Sequence, residues 1–159
     1  MSNEIEALEK LDLRVKQVMT QNPLTVDVES TVDAAANGME KCGCGCCLVE
    51  SRGKIVGIIT ERDIVRRVSA TASSLKRVKV KSIMTSKLIV IHPNATVEQA
   101  LQTMAENKIR RLPVVDRKGL VGVVSIVDIA KALAEKSGYT SSLINAIARQ
   151  SQPPEGLYV

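Results

Sequence analysis

Phenylalanine and tryptophan are absent from this 159-residue chain, and tyrosine occurs only at Tyr139 and Tyr158. So few rings leave no platforms for stacked bases, which counts against single-stranded nucleic-acid binding. The apolar share is 45% and almost wholly aliphatic, so the core must be Val, Ile, Leu, Met and Ala. No apolar run approaches the ~18 residues of a membrane span. The start of the chain lacks an apolar stretch behind a basic one, so no secretory leader is expected. These absences predict a cytoplasmic protein with no membrane partner. Also missing are the GxxxxGK[ST] phosphate loop, a GxGxxG followed by a helix, and any nucleophile spacing of Ser, His and acid. No catalytic residue is assigned, and no enzyme activity is expected.

Charge is modest. The formal net charge is +5, a weak bias toward anionic partners. It is uneven: Lys76, Arg77, Lys79 and Lys81 cluster mid-chain, Arg62, Arg66 and Arg67 form a second group, and Glu4, Glu6 and Glu9 make the start acidic.

What the chain does have is a repeat. Shifted by 65 residues, Val15 to Val68 aligns without a gap on Val80 to Leu133, with 14 of 54 pairs identical. Val15-Lys16-Gln17-Val18-Met19-Thr20 falls on Val80-Lys81-Ser82-Ile83-Met84-Thr85, Val56-Gly57 on Val121-Gly122, and Asp63-Ile64 on Asp128-Ile129. Internal repetition at such a period takes precedence over any local motif.

Each copy reads β-α-β-β-α. A short apolar run, Leu24 to Val28 or Leu88 to Ile91, precedes a helix capped by Ser30-Thr31 or Asn94 to Thr96. Val97, Ala100, Leu101 and Met104 repeat at helical spacing. Two strands follow, Cys46 to Glu50 with Ile55 to Thr60, and Leu112 to Asp116 with Leu120 to Ser125, around turns containing Gly53 and Gly119. Arg62 to Ser69 and Val127 to Lys136 close the copies as helices. The fold class is α/β of the α+β kind. A unit of ~60 residues buries only about 60% of its unfolded surface, so neither copy is comfortable alone. The expected solution packs the two copies sheet to sheet about a pseudo-two-fold axis, with two equivalent clefts as natural pockets. The predicted organisation is an N-terminal helix over 1–13, a first repeat over 14–72, a linker over 73–79, a second repeat over 80–136, and a C-terminal helix and tail over 137–159. In the flanks, Ile5, Leu8 and Leu11 share one helix face, as do Leu143, Ile144 and Ile147, while Pro153-Pro154 marks an extended tail.

Three features carry a family resemblance: Val-Met-Thr before a strand, the strand-turn-strand with Leu112-Pro113-Val114-Val115-Asp116, and Gly-hydrophobic-hydrophobic-Thr/Ser-x-x-Asp. Present twice and in order, they resemble the CBS domain, named after cystathionine β-synthase, in its tandem arrangement over roughly Val15 to Ala134. The resemblance implies a pair that binds adenosine-containing ligands, AMP, ADP, ATP or S-adenosylmethionine, in its clefts. It places the ribose on Asp63 and Asp128, and the phosphate near Thr60 and Ser125. It lines the base with Cys46 and Cys47 in one copy and with Arg110, Arg111, Leu112 and Pro113 in the other. Cys47-Leu48-Val49-Glu50 departs from the pattern where Leu112-Pro113-Val114-Val115 keeps it.

The residues have their own chemistry beside that resemblance. Thr60 and Asp63 lie where a strand becomes a helix, and helix starts favour anions. A carboxylate accepts two hydrogen bonds, which matches a vicinal diol. The plain alternative is a capping box that only closes the helix, although such boxes prefer Glu or Gln at the fourth place. Arg110 and Arg111 are either solvated charges or a directional phosphate clamp, with Arg110 reaching to the other copy's Thr60 and Asp63. Arg62 and Arg66 are further anion candidates.

Cys42, Cys44, Cys46 and Cys47 form one cluster split by Gly43 and Gly45. Zinc ribbons need two separated ligand pairs, and the one histidine, His92, lies in the other copy, so no metal site is expected. By alignment Cys44 replaces Ile109 and Cys47 replaces Leu112, which reads as small core residues. The alternating Lys and Val of 76–81 read as a solvated linker, and no nucleic-acid-binding motif flanks them.

The expected function is therefore a non-catalytic regulatory module. It needs no cofactor and binds an adenine nucleotide, with S-adenosylmethionine or methylthioadenosine as the alternative ligand. Its output passes through an effector protein or through a change in its own homodimer. A Cys-cluster metal or redox protein and a nucleic-acid binder are the competing classes.

Overall fold

In a computed structural model the described residues are 12–68 and 74–137. The helices expected over Glu4 to Leu13 and Thr140 to Arg149, and the tail from Ser151, lie outside them, apart from the end of the first. The described residues form two compact units: residues 21–68, 74–90 and 115–121, and residues 12–20, 91–114 and 122–137.

The first copy begins with a short helix, Val15–Val18 (α1), and a two-residue strand, Thr20–Gln21 (β1). Strand β2 (Thr25–Asp27) leads into helix α2 (Val32–Cys42), the hairpin β3 (Cys46–Ser51) and β4 (Lys54–Thr60), and then a short helical turn, Glu61–Asp63 (α3), which continues as one π-helical turn over Ile64–Val68. The second copy begins with a 3₁₀ turn, Val80–Ser82, and continues through α4 (Val97–Asn107), β5 (Arg111–Asp116), β6 (Gly119–Ser125) and α5 (Ile126–Ser137). All four main strands match the sequence reading within a residue at each end, and both amphipathic helices start where their caps placed them. Leu88 to Ile91 differs: it forms no continuous strand, and only Ile91 makes a parallel bridge, to Val114.

The local chemistry explains the elements. Thr31 Oγ1 accepts from the Ala34 N–H at 3.3 Å, and Thr96 Oγ1 accepts from the Gln99 N–H at 3.1 Å, so each amphipathic helix opens on a side-chain cap. Their apolar stripes, Val32, Ala35 and Met39, and Val97, Ala100 and Met104, are buried at equivalent positions. The first helix ends on Gly43 at φ 62° and the second on Lys108 at φ 54°, both left-handed. The β3–β4 hairpin turns through Arg52 and Gly53, both at positive φ, which suits a tight two-residue loop.

The first sheet has the order β2-β3-β4, with β2 parallel and β4 antiparallel to β3. Val32, Ala35, Met39, Cys47, Val49, Ile59, Val68, Val80 and Ile83 form one buried cluster beneath it. The second sheet has the order β1-β6-β5. Its unit buries Val15, Val97, Ala100, Met104, Leu112, Val114, Val124 and Ile129.

The leading segments are exchanged. Val15–Val18 and β1 open the first copy in sequence, yet they pack with the second: the Val15 N–H donates to the Ala95 carbonyl at 2.9 Å and the Lys16 N–H to the Pro93 carbonyl at 2.9 Å. Conversely, the Val80 N–H donates to the Ser30 carbonyl at 2.9 Å, and Thr85 bridges Ile58 on the edge of β4.

Candidate ligand-binding turns

Strand β4 ends at Thr60 and β6 ends at Ser125, and at each point a helix starts. The last strand residue is extended and its hydroxyl caps the helix. Asp63 Oδ2 accepts from Thr60 Oγ1 at 2.7 Å and from the Thr60 N–H at 2.9 Å, while the Asp63 N–H donates to Thr60 Oγ1 at 3.2 Å. The second turn repeats the pattern: Asp128 Oδ2 accepts from Ser125 Oγ at 2.6 Å and from the Ser125 N–H at 2.8 Å, and the Asp128 N–H donates to Ser125 Oγ at 3.2 Å. Both turns are therefore reciprocal capping boxes. Aspartate serves at the fourth place because the hydroxyl, the backbone N–H and one carboxylate oxygen close a compact ring. All four residues are half-buried.

The neighbouring strand supplies a second wall. Cys46 pairs with Thr60 across the hairpin. The Glu61 N–H donates to the Gly45 carbonyl at 3.3 Å, and at the equivalent place the Ile126 N–H donates to the Arg110 carbonyl at 3.0 Å. Arg110 thus borders the Ser125–Asp128 turn of its own copy, with its side chain exposed. Arg111 is half-buried, Leu112 and Pro113 are buried, and Arg62 and Arg66 are exposed. Cys47 belongs to the core cluster, as its alignment with Leu112 implied. Burial in apolar surroundings, and secondarily Cys46 beside it, push the Cys47 thiol up to about 12, so it stays protonated.

Cys44 departs from the sequence reading. It is not a core residue: it is half-buried and disulfide-bonded to Cys42, with the two Cα atoms 5.2 Å apart. Gly43 is the physical reason, since its left-handed φ reverses the chain between the two cysteines. Cys46 and Cys47 are buried and lie outside that disulfide. Among the described residues no group of three or more His, Cys, Asp and Glu could hold a metal ion. Among them, too, no helix is long and apolar enough to cross a membrane. The basic linker is partly engaged: Lys79 Nζ donates to the Glu29 carbonyl at 2.6 Å, and Lys81 pairs with the Glu29 carboxylate at 2.6 Å.

Sequence reasoning missed Arg67. Its Nε lies 3.6 Å from Asp63 Oδ1, and its Nη1 donates to the Ile83 carbonyl and, at 3.2 Å, to the Met84 carbonyl. The available signal was the i,i+4 spacing of acid and base on one helical turn. The alignment places Ala132 at the equivalent position.

Comparison with known proteins agrees with this architecture. The CBS domain profile matches residues 15–70 and again residues 80–135. The CBS domain-containing protein YhcV of Bacillus subtilis is 35% identical over 131 residues, covering 82% of this chain and 93% of that one. A solved protein with CBS domains from Burkholderia ambifaria superposes with a TM-score of 0.76 at 32% identity, covering 81% of this chain and 99% of that one. The CBS domain pair of protein MJ0100, solved with 5′-methylthioadenosine and S-adenosyl-L-methionine, superposes with a TM-score of 0.68 at 28% identity, covering 76% of this chain and 98% of that one.

Proposed function

The chain belongs to the CBS domain family as a tandem pair, and on that premise we propose that it is a non-catalytic regulatory module that binds an adenosine-containing ligand at its strand-to-helix turns. The observation that carries the reading is the twice-built turn with a carboxylate oxygen that the cap does not use. In each copy one oxygen of Asp63 or Asp128 is consumed by the cap, which fixes the rotamer and leaves Oδ1 outside the cap. An oxygen held in this way accepts the hydroxyls of a ribose without paying the entropy of ordering its side chain. The ligand's phosphate lies near Thr60 or Ser125, at a helix start. Cys46, Cys47 and Arg62 in the first copy, and Arg110, Arg111, Leu112 and Pro113 in the second, supply the surroundings of the base and phosphate.

AMP, ADP and ATP form the leading ligand class, because exposed arginines border both turns. S-adenosylmethionine or methylthioadenosine is the second reading, favoured by the ligands found with the MJ0100 pair. Occupancy shifts the equilibrium between two arrangements of the protein in proportion to the ligand's differential affinity for them. An effector protein or a second copy of the chain reads that shift.

Isothermal titration and thermal melting with AMP, ADP, ATP and S-adenosylmethionine test the proposal. Binding heat and a raised Tm with at least one of them are expected. No heat and no shift with all four would eliminate it.

A further inference from the structure

We propose that the two turns are unequal, and that Arg67 latches the first so that an adenosine sugar goes to Asp128; this inference rests on the adenosine reading above. A carboxylate offers about four lone-pair sites. At Asp63 and at Asp128 the cap fills Oδ2 with two donors, so a vicinal diol must be accepted by Oδ1. In the first copy that oxygen faces the Arg67 guanidinium at 3.6 Å. The same guanidinium is anchored on the Ile83 and Met84 carbonyls, so it is held on the carboxylate from the far side rather than waving in solvent. The Asp63 side chain is 17% exposed and that of Arg67 46%, so water screens the pair from the arginine side only.

In the second copy the latch is missing at its charged end, while the backbone carbonyls that would anchor it have counterparts. Ala132 stands where the first copy has Arg67, and it carries no charge or donor. Val18 and Met19 align with Ile83 and Met84. Among the described residues Asp128 Oδ1 has no hydrogen-bond or ion-pair partner, and it is the acceptor that a diol can claim without displacing anything. A sugar entering the first turn must first separate a charge pair, which weakens that turn relative to the second. The exchange of Arg67 for Ala132 beside two turns with the same cap thus sets the order of filling.

The test uses the full chain and titrates AMP, ATP and S-adenosylmethionine by calorimetry. The wild type is expected to show one tight site. Arg67→Ala is expected to tighten the other by roughly two- to fivefold, the size of one partly exposed ion pair, so that two sites are read. Ala132→Arg, which builds the latch into the second copy, is expected to weaken the tight site by a similar factor, and it keeps the proposal testable if Arg67→Ala does not fold. Two equal sites in the wild type, or an Arg67→Ala variant that binds more weakly, overturns the latch alone. Silence from all three ligands in the wild type overturns the adenosine reading and, with it, the selection between turns.

Discussion

Gly122 lies so close to Met19 that a Cβ on the glycine would sit 2.7 Å from the methionine sulfur, and equally 2.7 Å from the Thr20 carbonyl oxygen. Gly57 stands against Met84 in the same way, but only side-chain atoms of Met84 crowd it. A methionine can swing aside, whereas a backbone carbonyl in a sheet cannot. Gly122→Ala is therefore expected to cost more stability than Gly57→Ala, within the roughly 1–3 kcal/mol typical of overpacking. Urea unfolding of the two variants ranks them, and equal or reversed costs would contradict the account.

Lys108 occupies the left-handed position, φ 54°, that Gly43 fills in the other copy. A side chain with a Cβ is strained there by about 1 kcal/mol. Lys108→Gly is expected to stabilise the chain by about 0.5–1 kcal/mol, less the added entropy of the unfolded glycine. A higher urea midpoint with an unchanged slope is the expected readout, and a lower midpoint refutes the strain argument.

Cys47 carries a pH dependence of known sign. Its ordinary value of 9.0 is raised to about 12 in the fold, chiefly by burial. The folded state favours the protonated thiol, so this contribution to stability is fully present below pH 9 and is lost as pH rises from there through about 12. The slope is ~1.4 kcal/mol per pH unit while only the unfolded thiol is ionised. Unfolding measured from pH 8 to 11 in wild type and in Cys47→Val checks this, since the variant should lack that slope. Alkylation of the unfolded, unreduced chain should modify Cys46 and Cys47, with Cys42 and Cys44 reacting only after reduction.

Much of this was legible from the 65-residue shift. Identical spacing fixed the strands, the capped helices and the paired Thr60–Asp63 and Ser125–Asp128 turns, because period, cap and turn chemistry are local. What was not legible is non-local. Nothing in the string tells Val15 and Lys16 to bond to Ala95 and Pro93 rather than within their own copy. Arg67 stood in a cluster of three arginines, and only its neighbours in space single it out. The Cys42–Cys44 bond depends on the backbone reversal at Gly43, which alignment against Lys108 did not expose. Leu88 to Ile91 had the composition of a strand, but composition cannot show that only Ile91 finds a ladder partner.

The exchange of leading segments yields the last prediction. Val15 and Val80 are aligned residues, both fully buried, yet each is enclosed by the other copy's neighbour in sequence. Removing two methyl groups at such a site costs about 2 kcal/mol in lost burial and residual cavity. Sequence order alone assigns the damage from Val15→Ala to the first repeat. The backbone bonds to Ala95 and Pro93 assign it to the second, and those between Val80 and Ser30 assign Val80→Ala to the first. Native-state hydrogen exchange separates the alternatives, because local opening raises exchange in the amides nearest the lost packing. Val15→Ala should speed exchange around Val97, Ala100 and Val124 before it touches Val32, Ala35 and Ile59, and Val80→Ala should do the reverse. Faster exchange in the first set with Val80→Ala, or in the second with Val15→Ala, would mean that each leading segment stays with its own copy.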